Sequence, residues 1–271
     1  MTFHGYMRAT VFAPKRAKYP ALVQPKHNGI RCLWDDETAW SREGHIFKPH
    51  IHELCRKKFG TGGKWVRDGE LILPRFEFSL QQTQSAVTAE GEHSHLLQMP
   101  VFDVHNRAIG GPVFSERQAS GLIDTQTIAV TDYEEVEYWY DTFLEMGFEG
   151  LIFRTDTSYL FGSAARNLMK KKPVKHAEFI CIGVWRGIGK NKDVPTYRLQ
   201  RPDVPYIKGA PATTKNSFGA VPKGDYGEKH GLWLKHRDGS CIGLPYTIEC
   251  ADFYDSGVPQ FPIGIGVRDY E

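Results

Sequence analysis

The sequence changes character near residues 172–176, and this change constrains the fold more than any other feature. Before it, short apolar runs alternate with helical patterns. After it, the apolar runs are mostly β-like, as in "EFICIGVW" and "TYRLQ". A mixed pattern followed by a nearly all-β pattern is typical of two domains in series. Because 271 residues suffice for two domains, we expect one domain over 1–172 and a small β-barrel over 177–271.

The part before the boundary predicts several short strands and three helices. Apolar runs bounded by Gly, Asp and Pro predict strands at 21–24, 31–34, 65–66, 70–73 and 100–104. Helices are predicted at 78–89, at 115–123 with Ser115 as N-cap, and at 132–147. The last is capped by Asp132 and has an apolar stripe at helical spacing.

The part after the boundary predicts further strands at "GLWLKH" and "SCIGL". Between them and "TYRLQ" lies a stretch rich in Pro, Gly and Lys, from 201 to 231, which we interpret as a long loop. Such a loop is either a functional surface or a disordered segment, and the sequence favours neither.

Charge and hydropathy exclude some classes of protein. The 34 basic and 32 acidic residues give a net charge of +2, which excludes a uniformly basic protein. Acidic residues concentrate in 118–153, however, and basic ones in 166–192. The apolar runs fall far short of the ~20 residues that span a bilayer. The beginning of the chain lacks the apolar region of a signal peptide, so we expect no membrane partner and a cytoplasmic location.

The segment Gln24-Pro25-Lys26-His27-Asn28-Gly29-Ile30-Arg31 follows a predicted strand. A lysine at a strand end, near a glycine turn and an arginine, can act as a nucleophile if neighbouring cations lower its pKa. Asn-Gly is also a common hairpin turn, so the segment alone leaves both interpretations open.

Five later segments strengthen the first interpretation through their order and spacing. Each has an ordinary structural explanation when it is taken alone, as a turn, a core strand or a solvated charge run. The segments are Ser41-Arg42-Glu43-Gly44, Asp68-Gly69-Glu70-Leu71, Val101-Phe102-Asp103-Val104, "EGLIFR" from Glu149, and Leu168-Met169-Lys170-Lys171-Lys172.

Together these segments resemble the covalent nucleotidyltransferases, and most closely the ATP-dependent DNA ligases of the small, two-domain viral or bacterial type. The resemblance implies an α+β fold. It consists of a nucleotidyltransferase (adenylation) domain of antiparallel sheets with helices, over 1–172, followed by a small OB-fold barrel over 177–271. Only 25 residues precede Lys26, so we expect no additional DNA-encircling domain before it.

The resemblance also implies a role for each motif residue, with ATP and Mg²⁺ as cofactors. Lys26 attacks the α-phosphate of ATP and becomes lysyl-AMP, while Lys170 and Lys172 hold that phosphate. Glu149 and Glu70 bind Mg²⁺ or the ribose, and hard oxygen ligands suit that ion. Phe102 stacks on adenine and Gln24 lies near the adenine amino group. Arg31 and Arg42 contact the nucleotide or the 5′-phosphate of a nick.

The implied partner is nicked double-stranded DNA, bound by a monomer. Candidate DNA contacts are Arg42, which is also a candidate for the nucleotide site, and six lysines, namely Lys171, Lys190, Lys192, Lys208, Lys215 and Lys223. Residues 268–271, which begin with Arg268, partly match the last motif of the family, Arg-x-Asp-Lys.

The resemblance has one departure and leaves three alternatives. Asn28 stands where the motif usually has Asp, a variation that the wider superfamily tolerates, including RNA ligases. The alternatives are an RNA ligase, a GTP-dependent capping enzyme and a nucleic-acid-binding module without activity. The segments at Ser41 and Glu149 favour the DNA ligase, and the presence of Lys26, Glu70, Glu149, Lys170 and Lys172 argues against an inactive module.

Overall fold

The computed structural model describes residues 5–74, 76–106 and 111–268. The chain divides into two units, Met1–Lys172 and Pro173–Glu271. No helix in the described ranges has the length and apolar character needed to span a bilayer.

The first unit is built mainly from short strands. In chain order they are β1 (Met7–Arg8), β2 (Thr10–Val11), β3 (Ala21–Lys26), β4 (Ile30–Trp34), β5 (Ala39–Ser41), β6 (Trp65–Leu71), β7 (Val101–Asn106), β8 (Ile128–Val130), β9 (Gly150–Arg154), β10 (Gly162–Ser163) and β11 (Leu168–Lys171). Its α-helices are α1 (Pro49–Phe59), α2 (Leu80–Thr88), α3 (Phe114–Ala119) and α4 (Tyr133–Glu145).

Two larger sheets carry the motifs of this unit. A five-stranded sheet has the order β2-β11-β9-β3-β8, and a four-stranded sheet has the order β5-β4-β6-β7. Helix α4 covers the first sheet, where Val136 and Phe143 pack among the buried side chains of β3 and β9. The side chains of α1 and α2 pack in a separate cluster with those of β4, around Trp34. The residues 27–29 that join β3 to β4 therefore pass from one sheet to the other.

The two N-terminal strands pair with strands more than 150 residues later. β1 pairs with β10 and β2 pairs with β11, both in parallel. Thr10 also donates a hydrogen bond from Oγ1 to the carbonyl of Ala165. Strands β1 and β2 thus lie beside β10 and β11, and β11 carries the lysine motif.

The second unit is a closed five-stranded barrel with one α-helix and one short 3-10 helix among its described residues. Its strands are β12 (Lys175–Arg186), β13 (Pro195–Gln200), β14 (Ser217–Pro222), β15 (Pro245–Cys250) and β16 (Ile263–Val267), in the order β12-β13-β14-β16-β15, and its helix is α5 (Tyr226–His236). Cys181, Tyr197, Leu199, Tyr246 and Ile248 fill the interior. The predicted α+β class, with mainly antiparallel pairing followed by a barrel, is confirmed.

The helices before the boundary match the sequence prediction with two corrections. Asp132 caps α4 by accepting a hydrogen bond from the Glu135 amide at 2.9 Å, as predicted. Ser115 is not the N-cap of α3, because the cap is Val113; the Ser115 amide and hydroxyl instead bind the Asp156 carboxylate. Helix α1 was not predicted, although Pro49 occupies its favoured first position.

The segments after "TYRLQ" differ more from the prediction. "GLWLKH" is the end of helix α5 and not a strand, and "SCIGL" forms turns before β15. The predicted 201–231 loop contains strand β14 and the first turns of α5, so the irregular segment is shorter, from 201 to 216. Asp225 and Glu228 form a capping box that starts α5, which explains why this apolar run is helical.

Candidate active site

Lys26 lies at the end of β3, where the chain crosses between the two large sheets. Its carbonyl accepts a hydrogen bond from the Glu149 amide at 2.9 Å, and Lys26 is in register with Gly150 on β9. Gly29 completes the crossing, and a Cβ there would lie 2.3 Å from the carbonyl oxygen of Leu71. The glycine is therefore required by a close backbone approach, and it keeps Lys26 next to the end of β6.

Glu149 is shared between two of the motif lysines. Its Oε2 forms an ion pair with the Lys26 ammonium, and its Oε1 lies 3.2 Å from Lys172 Nζ. The three side chains retain 20 to 29% of their exposure, so they remain reachable from solvent. A single carboxylate thus holds two of the motif lysines close together.

The side chains of Lys170, Lys171 and Lys172, at and just after the end of β11, do not all point the same way, because successive side chains of a strand alternate. Lys170 lines the same pocket as Lys26. Burial, together with the positive charges of Lys26 and Lys172, lowers the pKa of Lys170. Lys171 points elsewhere, because it pairs with Glu137 of α4 and lies 3.8 Å from the centre of the Tyr140 ring. The structure therefore places Lys171, a predicted DNA contact, in an intramolecular ion pair.

Arg31 is held between aromatic rings and a buried carboxylate. Its guanidinium carbon lies 4.2 Å from the centre of the Tyr6 ring and 5.2 Å from that of Phe102. Asp68 accepts two hydrogen bonds from Arg31 and a third from the Tyr159 hydroxyl. Burial opposes the charged form, yet Asp68 raises the pKa of Arg31, which fixes its positive charge.

A second buried ion cluster supports the wall beneath Phe102. Asp103 accepts two hydrogen bonds from Arg117, at 2.8 and 3.0 Å, and one from Arg154 at 3.1 Å. All three side chains are at most 4% exposed. The Arg154 guanidinium also stacks on Phe114 at 3.9 Å. Removing Asp103 would leave two buried guanidinium groups without their carboxylate.

Glu70 is the second acidic residue of the site. Loss of solvent around its carboxyl raises the pKa of Glu70 from 4.5 to about 7, while Lys26 and Arg31 oppose this shift and Glu149 reinforces it. A Mg²⁺ site that also uses substrate phosphates needs only one or two carboxylates. Glu70 and Glu149 fit that requirement in number and chemistry. No cluster of three metal-ligating side chains occurs in the described ranges.

Lys26, Lys170 and Glu70 are among the residues that line a cavity of about 320 Å³, a size within the range of small-molecule sites. Glu149 and Lys172 are not among its lining residues. Besides the residues already described, the wall contains the exposed Arg42, which pairs with Glu43 at 3.1 Å. Gln24 is not part of the wall. Its side chain is 1% exposed and donates to the Phe102 carbonyl and to Thr127 Oγ1. The lining residues are Tyr6, Arg8, Ala9, Pro25, Lys26, His27, Arg31, Arg42, Glu70, Phe102, Ile152, Arg154, Leu168 and Lys170.

The remaining predicted residues lie in the second unit. Lys190, in the 3-10 helix Gly189–Asn191, is exposed, and so are Lys192, Lys208 and Lys215 in turns. Lys223, just after β14, pairs with Glu249 at 3.0 Å. Arg268 forms an ion pair with Glu178 of β12 and lies 3.4 Å from Thr247 Oγ1. Positions 269–271, the rest of the partial last motif, lie outside the described residues.

Comparison with solved structures shows what the fold of this chain is similar to. A Lig E DNA ligase superposes with a TM-score of 0.73, at 18% identity, over 98% of this chain and 100% of its own. The fold is that of the ATP-dependent DNA ligases. The adenylate form of Chlorella virus DNA ligase matches with a TM-score of 0.54 and 19% identity over all of both chains. The ATP-dependent DNA ligase of bacteriophage T7, in complex with ATP, matches with a TM-score of 0.52 and 14% identity, over 98% of this chain and 99% of that one.

Comparison with protein-family models gives no match, and comparison with curated protein sequences gives none either. The ligase fold is thus recognised here from the short motifs and from the three-dimensional arrangement.

Several pocket residues of this ligase fold were not singled out from the sequence. Arg8 belongs to β1, and Tyr6 and Ala9 flank this strand in a segment that carries no recognisable motif. Arg154 closes the string "EGLIFR", so its place in a motif was a usable signal. Ile152 and Leu168 looked like core positions and also form part of the wall.

Proposed function

We propose that this protein is an ATP-dependent DNA ligase that seals nicks in duplex DNA through a lysyl-AMP intermediate. In this proposal the unit Met1–Lys172 is the nucleotidyltransferase domain, and residues 177–271 form the OB-fold domain. The observation that supports it best is the position of Lys26. The lysine lies in a pocket with two further motif lysines beside it, and it shares Glu149 with one of them.

The first step is nucleotidyl transfer to Lys26. The neutral amine of Lys26 attacks the α-phosphorus of ATP. A nitrogen–phosphorus bond forms, the bond to the bridging oxygen of the β-phosphate breaks, and pyrophosphate leaves. Lys170 and Lys172 hold the non-bridging oxygens of the α-phosphate and compensate the charge that develops on them. The Lys26 ammonium loses one proton to water before the attack, and the nitrogen loses a second proton to water as the phosphoramidate forms.

The other pocket residues bind the rest of the nucleotide. The Phe102 ring, backed by Arg31, offers a flat surface on which adenine stacks. Glu70 and Glu149 are the residues that would hold Mg²⁺, which supplies charge neutralisation for the phosphates when it is bound. Since Glu149 already contacts Lys26 and Lys172, nucleotide binding replaces these ion pairs with lysine–phosphate contacts.

The second and third steps act on nicked DNA. The AMP moves from Lys26 to the 5′-phosphate of the nick, with Arg42 and Arg31 near that phosphate. The 3′-hydroxyl then displaces AMP and forms the phosphodiester bond. Lys190, Lys192, Lys208, Lys215 and Lys223 are proposed contacts to the DNA backbone. We further propose a monomer in the cytoplasm, where the five buried, free cysteines would stay reduced.

Covalent labelling tests the proposal and separates its alternatives. Wild-type protein is incubated with Mg²⁺ and α-labelled ATP or GTP, and Lys26→Ala is the control. The proposal expects label from ATP only, and none on the variant. Label from GTP would instead indicate a capping enzyme.

Sealing assays on nicked DNA and nicked RNA complete the test. The proposal expects joining of a 5′-phosphorylated DNA nick. Preferential joining of RNA would indicate an RNA ligase. A protein that binds nucleic acid but neither labels nor seals would be an inactive binding module.

A further inference from the structure

The N-terminal strand β1 supplies one wall of the pocket and is held rigidly. Met7 is buried, and its amide donates to the Tyr159 hydroxyl at 2.9 Å. The Arg8 carbonyl accepts a hydrogen bond from the Ala164 amide at 3.1 Å, and Arg8 lies opposite Ser163 in the parallel pair. Successive side chains of a strand point in opposite directions. Arg8 therefore faces away from the Met7 cluster, and its exposed side chain lines the pocket.

The anchoring of β1 is continuous with that of Arg31. Tyr159, which accepts the hydrogen bond from the Met7 amide, donates its own proton to Asp68. Asp68 in turn holds the Arg31 guanidinium through two hydrogen bonds. The backbone at Arg8 is thus fixed relative to Arg31, another lining residue, so the Arg8 guanidinium extends from a preorganised position.

Arg8 differs from most other cations of the pocket in its electrostatic partners. Four of the six lining cations already have a carboxylate, in the pairs Lys26–Glu149, Arg31–Asp68, Arg42–Glu43 and Arg154–Asp103. Across residues 5–74, 76–106 and 111–268, no ion pair is formed by Arg8 or by Lys170. Lys170 is one of the two lysines proposed to hold the α-phosphate of ATP. A second uncompensated cation in the same cavity is therefore ready for a further anionic group.

We propose that Arg8 is a phosphate-binding residue of this site. The planar guanidinium matches two oxygens of one phosphate group at once, which makes arginine well suited to such recognition. The inference rests on the proposed ligase reaction, in which two kinds of phosphate enter the pocket. One is the β- or γ-phosphate of ATP, and the other is the 5′-phosphate of the nick.

The first arm of the test measures nucleotide binding without any covalent step. Binding of α,β-methylene-ATP, whose bridge cannot be cleaved, is compared with binding of AMP by calorimetry. If Arg8 binds the outer phosphates, Arg8→Gln weakens α,β-methylene-ATP binding about 10- to 100-fold, the loss expected for one charge-assisted contact. AMP binding stays unchanged, and Arg8→Lys shows an intermediate loss.

The second arm measures binding of nicked duplexes that differ only in a 5′-phosphate or a 5′-hydroxyl, with AMP present. If Arg8 binds the phosphate of the nick, Arg8→Gln removes the preference for the phosphorylated duplex. Arg16→Gln is the matched control in both arms. Arg16 is exposed, lies in the same N-terminal part and is not a lining residue. It should behave as wild type.

The outcomes separate this inference from the proposed function. Loss in either arm, with a melting temperature equal to that of Arg16→Gln, supports the role of Arg8 and identifies the phosphate. Wild-type behaviour of Arg8→Gln in both arms overturns it. Because neither arm requires lysyl-AMP, a wild-type protein that fails to label with ATP would refute the ligase proposal while the role of Arg8 is still decided by binding.

Discussion

Asp103 is a single carboxylate shared by two buried guanidinium groups, those of Arg117 and Arg154. Asp103→Asn keeps the shape of the side chain and removes its charge. We expect a loss of about 3–5 kcal/mol in the free energy of unfolding, because two buried cations lose their counter-ion. Urea denaturation of both proteins measures this difference.

The matched control is an ion pair of the same type on the surface. Arg42 and Glu43 are 64% and 59% exposed, so Glu43→Gln should change the free energy of unfolding by only about 0–1 kcal/mol. An equally small effect of Asp103→Asn would mean that the buried cluster does not hold the wall of the pocket.

Glu70 makes stability depend on pH in a defined direction. The folded state raises the pKa of Glu70 from 4.5 to about 7 through burial of the carboxyl. Between these values the folded protein binds a proton that the unfolded chain has released, so the contribution of Glu70 to stability is present below about pH 4.5 and is lost as pH rises through 7. The melting temperature of wild type, relative to Glu70→Gln, should fall over this range without nucleotide. A constant difference would contradict the burial of this carboxyl.

The residues of the site were partly predictable from the sequence. Lys26, Glu149 and Lys172 form one ion-paired group in the structure. All three belong to short motifs whose order and spacing can be recognised in the sequence. Their roles in catalysis stay predictions. Tyr6 and Arg8 were not predictable, because nothing local in the N-terminal segment reveals its pairing with β10. That pairing depends on a contact across more than 150 residues.

At the scale of elements, the turn between β3 and β4 determines where Lys26 lies relative to β6. Gly29→Ala would place a Cβ 2.3 Å from the Leu71 carbonyl oxygen, so the turn or β6 must move. We expect a loss of stability of about 1–3 kcal/mol, as for other overpacked sites. Labelling by ATP should slow as well, because the turn sets the position of Lys26.

Gly91→Ala is the control for the Gly29 variant. A Cβ at Gly91 meets no heavy atom within 4 Å, and this residue lies outside the pocket. It should melt and label with ATP as wild type does. Equal behaviour of the two variants would show that the close approach at Gly29 has no consequence for the site.

Local signals decided which elements could be predicted. Helix α4 has both an N-cap aspartate and a clear apolar stripe, and its prediction is confirmed. The "GLWLKH" run is too short to distinguish a strand from a helix by period alone. The deciding signal was the Asp225–Glu228 capping box upstream of that run, which lay inside the predicted loop. Two separate strands were predicted at 65–66 and 70–73, but residues 65–71 form one strand. Its pairing with β4 and β7 continues through the central Asp-Gly, a dipeptide that by itself favours a turn.

At the scale of the molecule, the proposed DNA contacts of the second unit make a prediction about salt. No carboxylate in the described part of the chain pairs with Lys208 or Lys215, and both side chains are exposed. If both contact phosphates, the double variant Lys208→Gln/Lys215→Gln should lower the slope of log affinity against log salt by about 1.8, since each contact contributes roughly 0.9. Affinity for nicked DNA at several salt concentrations measures the slope.

Lys223→Gln is the comparison for this experiment. Lys223 shares Glu249 at 3.0 Å, so part of its charge is already compensated and its loss should change the slope less. An unchanged slope in the double variant would exclude both lysines as contacts. The near-neutral net charge of +2 therefore gives little information on DNA binding, because internal ion pairs such as Lys171–Glu137 consume many of the charges.

The pairing of β1 and β2 with β10 and β11 also bears on how the protein is made. Thr10 finds its hydrogen-bond partner 155 residues later in the chain. At about 5–20 residues per second, a ribosome needs roughly 8 to 31 seconds to synthesise that interval. During this time Tyr6 and Arg8 have emerged but have no strand to join, and the pocket lacks a wall. We therefore expect the nascent chain to complete this pocket late and abruptly, when β11 leaves the exit tunnel.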